Sequence, residues 1–206
     1  MGVDTGDLDG SGRSGIAITN FDNEMIGLYH VTSPGVFDDI SIPSGVGAAS
    51  RNTLGFGCMF LDVDLDGALD LAVANGHIDE TVRNIRGNVG YAQPPQLFLN
   101  SGTGKFRDVA GQVGGGFESP KVGRGLAFGD FDRDGDLDIL MTTNNGPAHL
   151  YRNDLTAKTH SIRFICMVRN PIAMPSAHWC ASFAKDNPNR DSCAAAPAIF
   201  LNRNCR

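Results

Sequence analysis

The residues best placed to do chemistry are aspartates set in one repeated spacing. Asp62, Asp64 and Asp66 precede Gly67, and Asp70 follows three residues later. Asp130, Asp132 and Asp134 precede Gly135, and Asp138 follows in the same way. This Asp-x-Asp-x-Asp-Gly-x-x-Asp pattern puts side-chain oxygens at loop positions 1, 3, 5 and 9. The glycine at position 6 lets the chain turn sharply at a backbone angle other residues resist. Position 7 can add its backbone carbonyl. A hard cation such as Ca²⁺ takes six to eight oxygens, which such a loop supplies. Without a cation, three or four carboxylates in one loop repel one another. An earlier stretch keeps Asp7, Asp9 and Ser11 before Gly12, but its position 9 is Gly15. That first site is expected to be weak or empty.

Two other kinds of loop share parts of this pattern. An EF-hand needs a bidentate Glu at position 12 and flanking helices. Position 12 here is Ile18, Val73 or Met141, each in an apolar stretch that reads as strand. Asp-Gly runs taken singly are ordinary turns. Three copies in register, with shared glycines on both sides, favour calcium. The formal charge is −6, which three Ca²⁺ would offset.

The elements around the loops repeat as well. Gly2, Gly57 and Gly125 stand five residues before the first Asp, and Gly12, Gly67 and Gly135 five after it. The loop starts lie 55 and 68 residues apart, too far for a small solenoid unit. Each loop runs into a β-favouring stretch. A second shared element follows, at Leu28-Tyr29-His30, Leu97-Phe98-Leu99-Asn100 and Leu150-Tyr151-Arg152-Asn153. In the second copy it leads through Ser101–Gly104 into Lys105–Val109, a hairpin signal. The first copy has a looser counterpart at Gly35–Ile40. No segment sustains a 3.6-residue period, so the chain reads as all-β, with several antiparallel strands per repeat.

Composition narrows the rest. The 206-residue chain is acidic, which argues against nucleic acid as partner. No apolar run reaches the length of a transmembrane helix, and no signal peptide is visible at the start. All 26 glycines lie in residues 1–154, which carry 21 acidic and 10 basic side chains. Residues 155–206 carry 2 acidic and 7 basic side chains, four of the five cysteines and the sole tryptophan. Those cysteines fit no metal or disulfide spacing.

The stretch Gly125-Leu-Ala-Phe128-Gly129-Asp130-Phe-Asp132-Arg-Asp134-Gly135 resembles the FG-GAP/VCBS repeat of integrin-like β-propellers. Asn75-Gly76-His77, Tyr91-Ala-Gln93, Val122-Gly-Arg-Gly125 and Asn144–Asp154 resemble more specifically the propeller of the ASPIC/UnbV (cartilage acidic protein-like) family. The resemblance covers about residues 1–163. It implies a partial β-propeller of about three blades, entered in the middle of a blade at Gly2, with Ca²⁺ in a loop between strands of each blade. Calcium ligands carry over at Asp62, Asp64, Asp66, Asp70, Asp130, Asp132, Asp134 and Asp138, and only partly at Asp7, Asp9 and Ser11. The family implies an extracytoplasmic protein of about seven blades, with a protein or carbohydrate ligand. Three blades cannot close a ring, so the piece is expected to be marginal alone and to lean on Ca²⁺.

The resemblance also divides the chain into a propeller fragment, 1–154, and the start of an ASPIC/UnbV domain, 155–206. Residues that fit that domain stop near His160–Phe164. Read from the third base of its codons, Asn170–Ala177 can encode Ser-Asn-Arg-Asp-Ala-Ile-Gly, a motif typical of the domain. Ser192–Cys205 can encode a second such peptide in the same frame. The tail from about Cys166 therefore reads as out-of-frame translation without a selected fold. A genuine basic segment is the alternative, and the nucleotide sequence decides between them.

Other candidates are weaker. His77 reads as a ligand, a catalytic base or loop structure, the last favoured by its isolation. Arg83, Arg86 and Arg124 read as an anionic-partner patch or as solvated charges. Cys58 reads as a small hydrophobe in a buried strand. No Gly-x-Ser-x-Gly nucleophile elbow occurs, and the Gly111–Gly116 run lacks the strand and helix that a phosphate loop needs. Two classes remain: a non-catalytic calcium-stabilised binding module, and a metal-dependent hydrolase using the acidic loops.

Overall fold

The β-favouring stretch after each acidic loop forms the second strand of a sheet, and the stretch before it forms the first. A computed structural model describes residues 1–155, 164–166 and 181–183. The chain divides into two units, Met1–Thr159 and His160–Arg206. In the first unit, β1 (Val3–Asp7), β2 (Ser14–Ile18), β3 (Gly27–Ser33) and β4 (Val36–Asp39) pair in sequence order. So do β5 (Gly55–Leu61), β6 (Asp70–Asn75), β7 (Gln96–Asn100) and β8 (Phe106–Asp108). The third sheet holds β9 (Gly123–Gly129), β10 (Asp138–Thr143) and β11 (His149–Tyr151), again in meander order. Every pairing is antiparallel. Three short helices, α1 (Ser41–Ser44), α2 (Val46–Ser50) and α3 (Val82–Ile85), sit in the connections. These are three blades of a partial, unclosed β-propeller.

The entry point differs from the expectation of a mid-blade start. The first sheet has four strands, and β1 pairs with β2 from Val3 opposite Ile18 to Asp7 opposite Ser14. Val3–Asp7 carries little apolar signal in the sequence, Val3 being its one large apolar residue.

Apolar packing joins the sheets face to face. Leu8, Ala17 and Leu28 of the first sheet meet Phe60, Leu71, Val73 and Phe98 of the second. Met59, Leu61, Ala72 and Leu97 of the second meet Ile139 of the third. The middle strand β6 is buried along its whole length, which is why Leu71-Ala-Val-Ala74 is continuously apolar rather than alternating. Leu71 and Val73 face one neighbour and Ala72 the other. Each large side chain so buried contributes about 1.5–3 kcal/mol.

The leading glycines sit where blades touch. A Cβ on Gly2 would lie 2.4 Å from the Phe56 carbonyl oxygen, and one on Gly57 would lie 2.9 Å from the Arg124 carbonyl oxygen. These glycines let the first strand of one blade press against the first strand of the next. They are close-approach residues, not turn residues.

In the second unit, β12 (Phe164–Cys166) and β13 (Ala181–Phe183) form a two-stranded antiparallel ribbon with Phe164 opposite Phe183. Beyond these strands, the reading of a shifted, unfolded tail lies outside the described residues, as do Trp179, Cys180, Cys193 and Cys205.

Candidate metal centre

All three acidic loops occupy the same place, between the first and second strands of a sheet. They span residues 8–13, 62–69 and 130–137. The backbone explains why the spacing is strict. Position 6 is left-handed in each loop: Gly12 at φ 78°, Gly67 at 92° and Gly135 at 105°. Position 4 is left-handed too, at Gly10 (70°), Leu65 (57°) and Arg133 (66°). The two non-glycine residues bear a cost of about 1 kcal/mol there. Carboxylates tie the turn: Asp62 accepts the amides of Asp66 (3.0 Å) and Gly67 (2.9 Å), and Asp7 accepts that of Gly12 (2.7 Å).

Carboxylate oxygens of Asp62, Asp64 and Asp66 lie within 4.8 Å of one another. Those of Asp130, Asp132 and Asp138 do so as well, and those of Asp132, Asp134 and Asp154 form a second, overlapping group. These Asp clusters can hold a metal ion. One oxygen fits that role in particular: Asp64 Oδ1 is buried and has no hydrogen-bond partner among the described residues. Burial, then repulsion from Asp66 and Asp62, raises the Asp64 carboxyl above the ordinary value. Asp132 is raised by burial and by Asp134, while the Asp136 amide lowers Asp134.

Position 9 anchors the loop. Both oxygens of Asp70 accept backbone amides, Oδ1 from Asn100 (2.8 Å) and Oδ2 from Val63 (3.0 Å). Asp138 repeats this with Asn153 (2.9 Å) and Phe131 (2.7 Å). Both side chains are buried. The carboxylate thus pins its own loop to the end of the third strand. Burial outweighs these hydrogen bonds at Asp70 and pushes its carboxyl up to about 6.

The first loop is built differently. Where position 9 would carry a carboxylate, a Cβ on Gly15 would lie 2.3 Å from Leu8 Cδ1, so an apolar side chain fills that space. His30 Nε2 stands 3.3 Å from Asp9 Oδ2. The third loop has a cation at the matching strand position, with Arg152 Nε 4.0 Å from Asp132 and its guanidinium 2.8 Å from Asp154. In the second sheet that position is Leu99. Asp136 and Asp154 lie outside the shared spacing, so the repeat gives no signal for them. Asp136 is buried and accepts the Leu155 amide (3.0 Å), which ties the loop to the end of the blade.

The weaker candidates resolve into structure. The Asp79 amide donates to His77 Nδ1 (3.0 Å), which leaves Nε2 3.4 Å from buried Asp22. Arg86 also reaches Asp22, and Arg124 donates to the Gly76, Gly123 and His77 carbonyls while stacking on Phe56. These side chains hold the connections between blades. Arg83 lies exposed in α3. Burial pushes the Cys58 thiol up to about 11, and the side chain packs against the core, as a small hydrophobe does. Among the described residues, no helix is long and apolar enough to cross a membrane.

Comparison with known proteins gives the same picture. Residues 74–141 match the FG-GAP-like repeat family, a span from β6 through the third acidic loop into β10. Cartilage acidic protein 1 of Homo sapiens is 41% identical over 85 residues, 40% of this chain and 12% of that protein. The Xenopus tropicalis protein of the same name is 29% identical over 179 residues, 82% of this chain and 25% of its own length. The Mus musculus protein is 46% identical over 59 residues, 28% and 9% respectively. The chain spans a quarter or less of the curated relatives it matches. It carries an FG-GAP-like repeat and is similar to cartilage acidic protein 1 over most of its length.

Proposed function

We propose that the chain is a non-catalytic calcium-binding repeat module, part of a larger extracytoplasmic protein that recognises a protein or glycan. The observation that carries the calcium reading is the buried, unpartnered Asp64 oxygen within a cluster of three carboxylates, in a loop that recurs at the same place in the third blade. Asp62, Asp64, Asp66 and Asp70 would hold one ion, and Asp130, Asp132, Asp134 and Asp138 a second. Asp7, Asp9 and Ser11 would hold an ion weakly or not at all. A bound ion would neutralise the crowded carboxylates and stiffen the turn between the first two strands. That role needs a closed shell of oxygens and no reacting group beside it.

The hydrolase alternative needs an open metal position with a base next to it. His77 stands at the far end of β6 from the acidic loop, roughly 15–20 Å away by strand length. Both its ring nitrogens are engaged. Thermal melts in excess Ca²⁺, Mg²⁺ and chelator test the proposal. A melting temperature several degrees higher in Ca²⁺ alone supports it, and identical melts in all three overturn it.

A further inference from the structure

The two complete loops are tied across the blades by an asparagine that the metal reading leaves unexplained. Asn100 ends β7, and its backbone amide donates to Asp70 of its own blade. Its side-chain amide turns the other way and donates to the Leu8 carbonyl in the first blade's loop (2.9 Å), and to Leu69 (3.0 Å). Asn153 repeats the arrangement one blade on. Its backbone amide donates to Asp138, and its side-chain amide donates to the Val63 carbonyl in the second blade's loop (2.7 Å). Val63 is itself held to Asp70 through its amide. The result is a continuous line of hydrogen bonds. It runs from Leu8 through Asn100, Asp70, Val63, Asn153 and Asp138 to Phe131.

The line uses both faces of one peptide group. Val63 donates its N–H to its own blade's position-9 aspartate and accepts at its C=O from the next blade's asparagine. A shift of the second loop is therefore felt at Asn153, whose backbone sets Asp138 in the third. The first blade shows that the two residues go together. It has neither the aspartate nor the asparagine, with Gly15 and Val31 at the matching positions. This pairing does not follow from a need for metal ligands alone, since asparagine at that place reaches a neighbouring carbonyl.

We propose that Asn100 and Asn153 are positioning residues that couple the acidic loops of successive blades, so that calcium at the second loop raises the affinity of the third and the reverse. The proposal rests on the calcium reading of the loops, but the mechanical coupling is measurable without calcium. In the full chain, Asn153→Leu removes the donor to Val63. In chelator, it speeds exchange of the Val63 amide by about five-fold or more and leaves the core amides of the first sheet, such as Ala17 and Leu28, unchanged. Unchanged exchange at Val63, or uniform acceleration everywhere, overturns the coupling. In calcium, Asp130→Ala disables the third loop and lowers the affinity of the second by about five-fold or more. In the Asn153→Leu background that loss disappears. Equal second-loop affinity with and without Asp130→Ala, in the otherwise unaltered chain, contradicts the proposal. If the unaltered chain binds no calcium, the calcium reading fails, and the Val63 exchange alone decides on the coupling. Asn153→Ser serves in place of Asn153→Leu if the latter does not fold.

Discussion

The first and second blades solve the same turn with different chemistry. Both bend at left-handed positions 4 and 6, and both begin with an aspartate that ties the turn. The second blade fills the space behind the loop with Asp70, a buried carboxylate holding two amides. The first fills it with Leu8, packed over Gly15. It relaxes position 4 to glycine and sets His30 beside Asp9. A loop of this shape can therefore be backed by an apolar plug or by a buried carboxylate that ties down two amides. The difference teaches that position 9 decides which, since it supplies either a buried carboxylate tether or a vacancy for a hydrophobe.

The largest effect is expected from removing the tether. Asp70→Ala leaves the buried amides of Val63 and Asn100 without acceptors, at a cost of about 1–3 kcal/mol for each. Chemical denaturation in chelator should show most of that loss. Asp62→Ala, at a half-buried position of the loop, should cost about 1 kcal/mol under the same conditions while removing the site. Converting the first blade to the second's chemistry should also be costly. Gly15→Asp collides with Leu8 and with the Tyr29 carbonyl, and is expected to destabilise by about 1–3 kcal/mol. Combining it with Leu8→Ala should recover part of the loss, and an equal or greater loss in the double variant would argue against the plug.

A pH series sharpens the comparison further. Asp70 titrates near 6 when folded, against an ordinary value of 3.8. The folded chain thus holds this proton more tightly than the unfolded one. Its contribution to calcium-free stability is full below about pH 4 and is lost as pH rises through 6. Calcium needs the deprotonated carboxylate, so the stabilisation it gives should grow from pH 5 to pH 7. Melts with and without calcium across that range measure both slopes, and calcium stabilisation that is flat or falling would contradict the assignment. The smallest effect belongs to position 4. Leu65→Gly should relieve backbone strain, offset in part by unfolded-state entropy, leaving a change within about 1 kcal/mol in chelator. Gly10→Leu should be unfavourable by a similar amount.

The open end of the third blade completes the contrast. Leu8 and Val63 are covered at position 2 by the neighbouring blade, whereas Phe131 at that position is 71% exposed. Leu140 and Leu150 are likewise exposed where Ala72 and Leu97 are buried. An unclosed propeller leaves this apolar face to water, which is the physical basis for expecting marginal stability in isolation.

Much of this was legible in the residues because it is local. The turn glycines, the aspartates at fixed spacing and the hairpin at Ser101–Gly104 each act within about ten residues of their own position. The third-strand element ending in Asn100 and Asn153 was visible as a repeat, but its meaning was not. Asn153 acts on Val63, 90 residues away, and only the stacking of blades brings them together. The same holds for Gly2 and Gly57, whose purpose is the neighbour's backbone. Nothing in the spacing shows that Leu8 covers Gly15. Val3–Asp7 gives no strand signal in the sequence because its pairing, rather than its apolarity, holds it in place.

On the proposed function, the second and third loops bind calcium and the first binds it weakly or not at all. Calorimetric titration of the full chain in calcium-depleted buffer tests it directly. Two bound ions are expected, falling to one in Asp62→Ala and remaining two in Asp7→Ala. No binding, or three equivalent sites with one lost in Asp7→Ala, would contradict it.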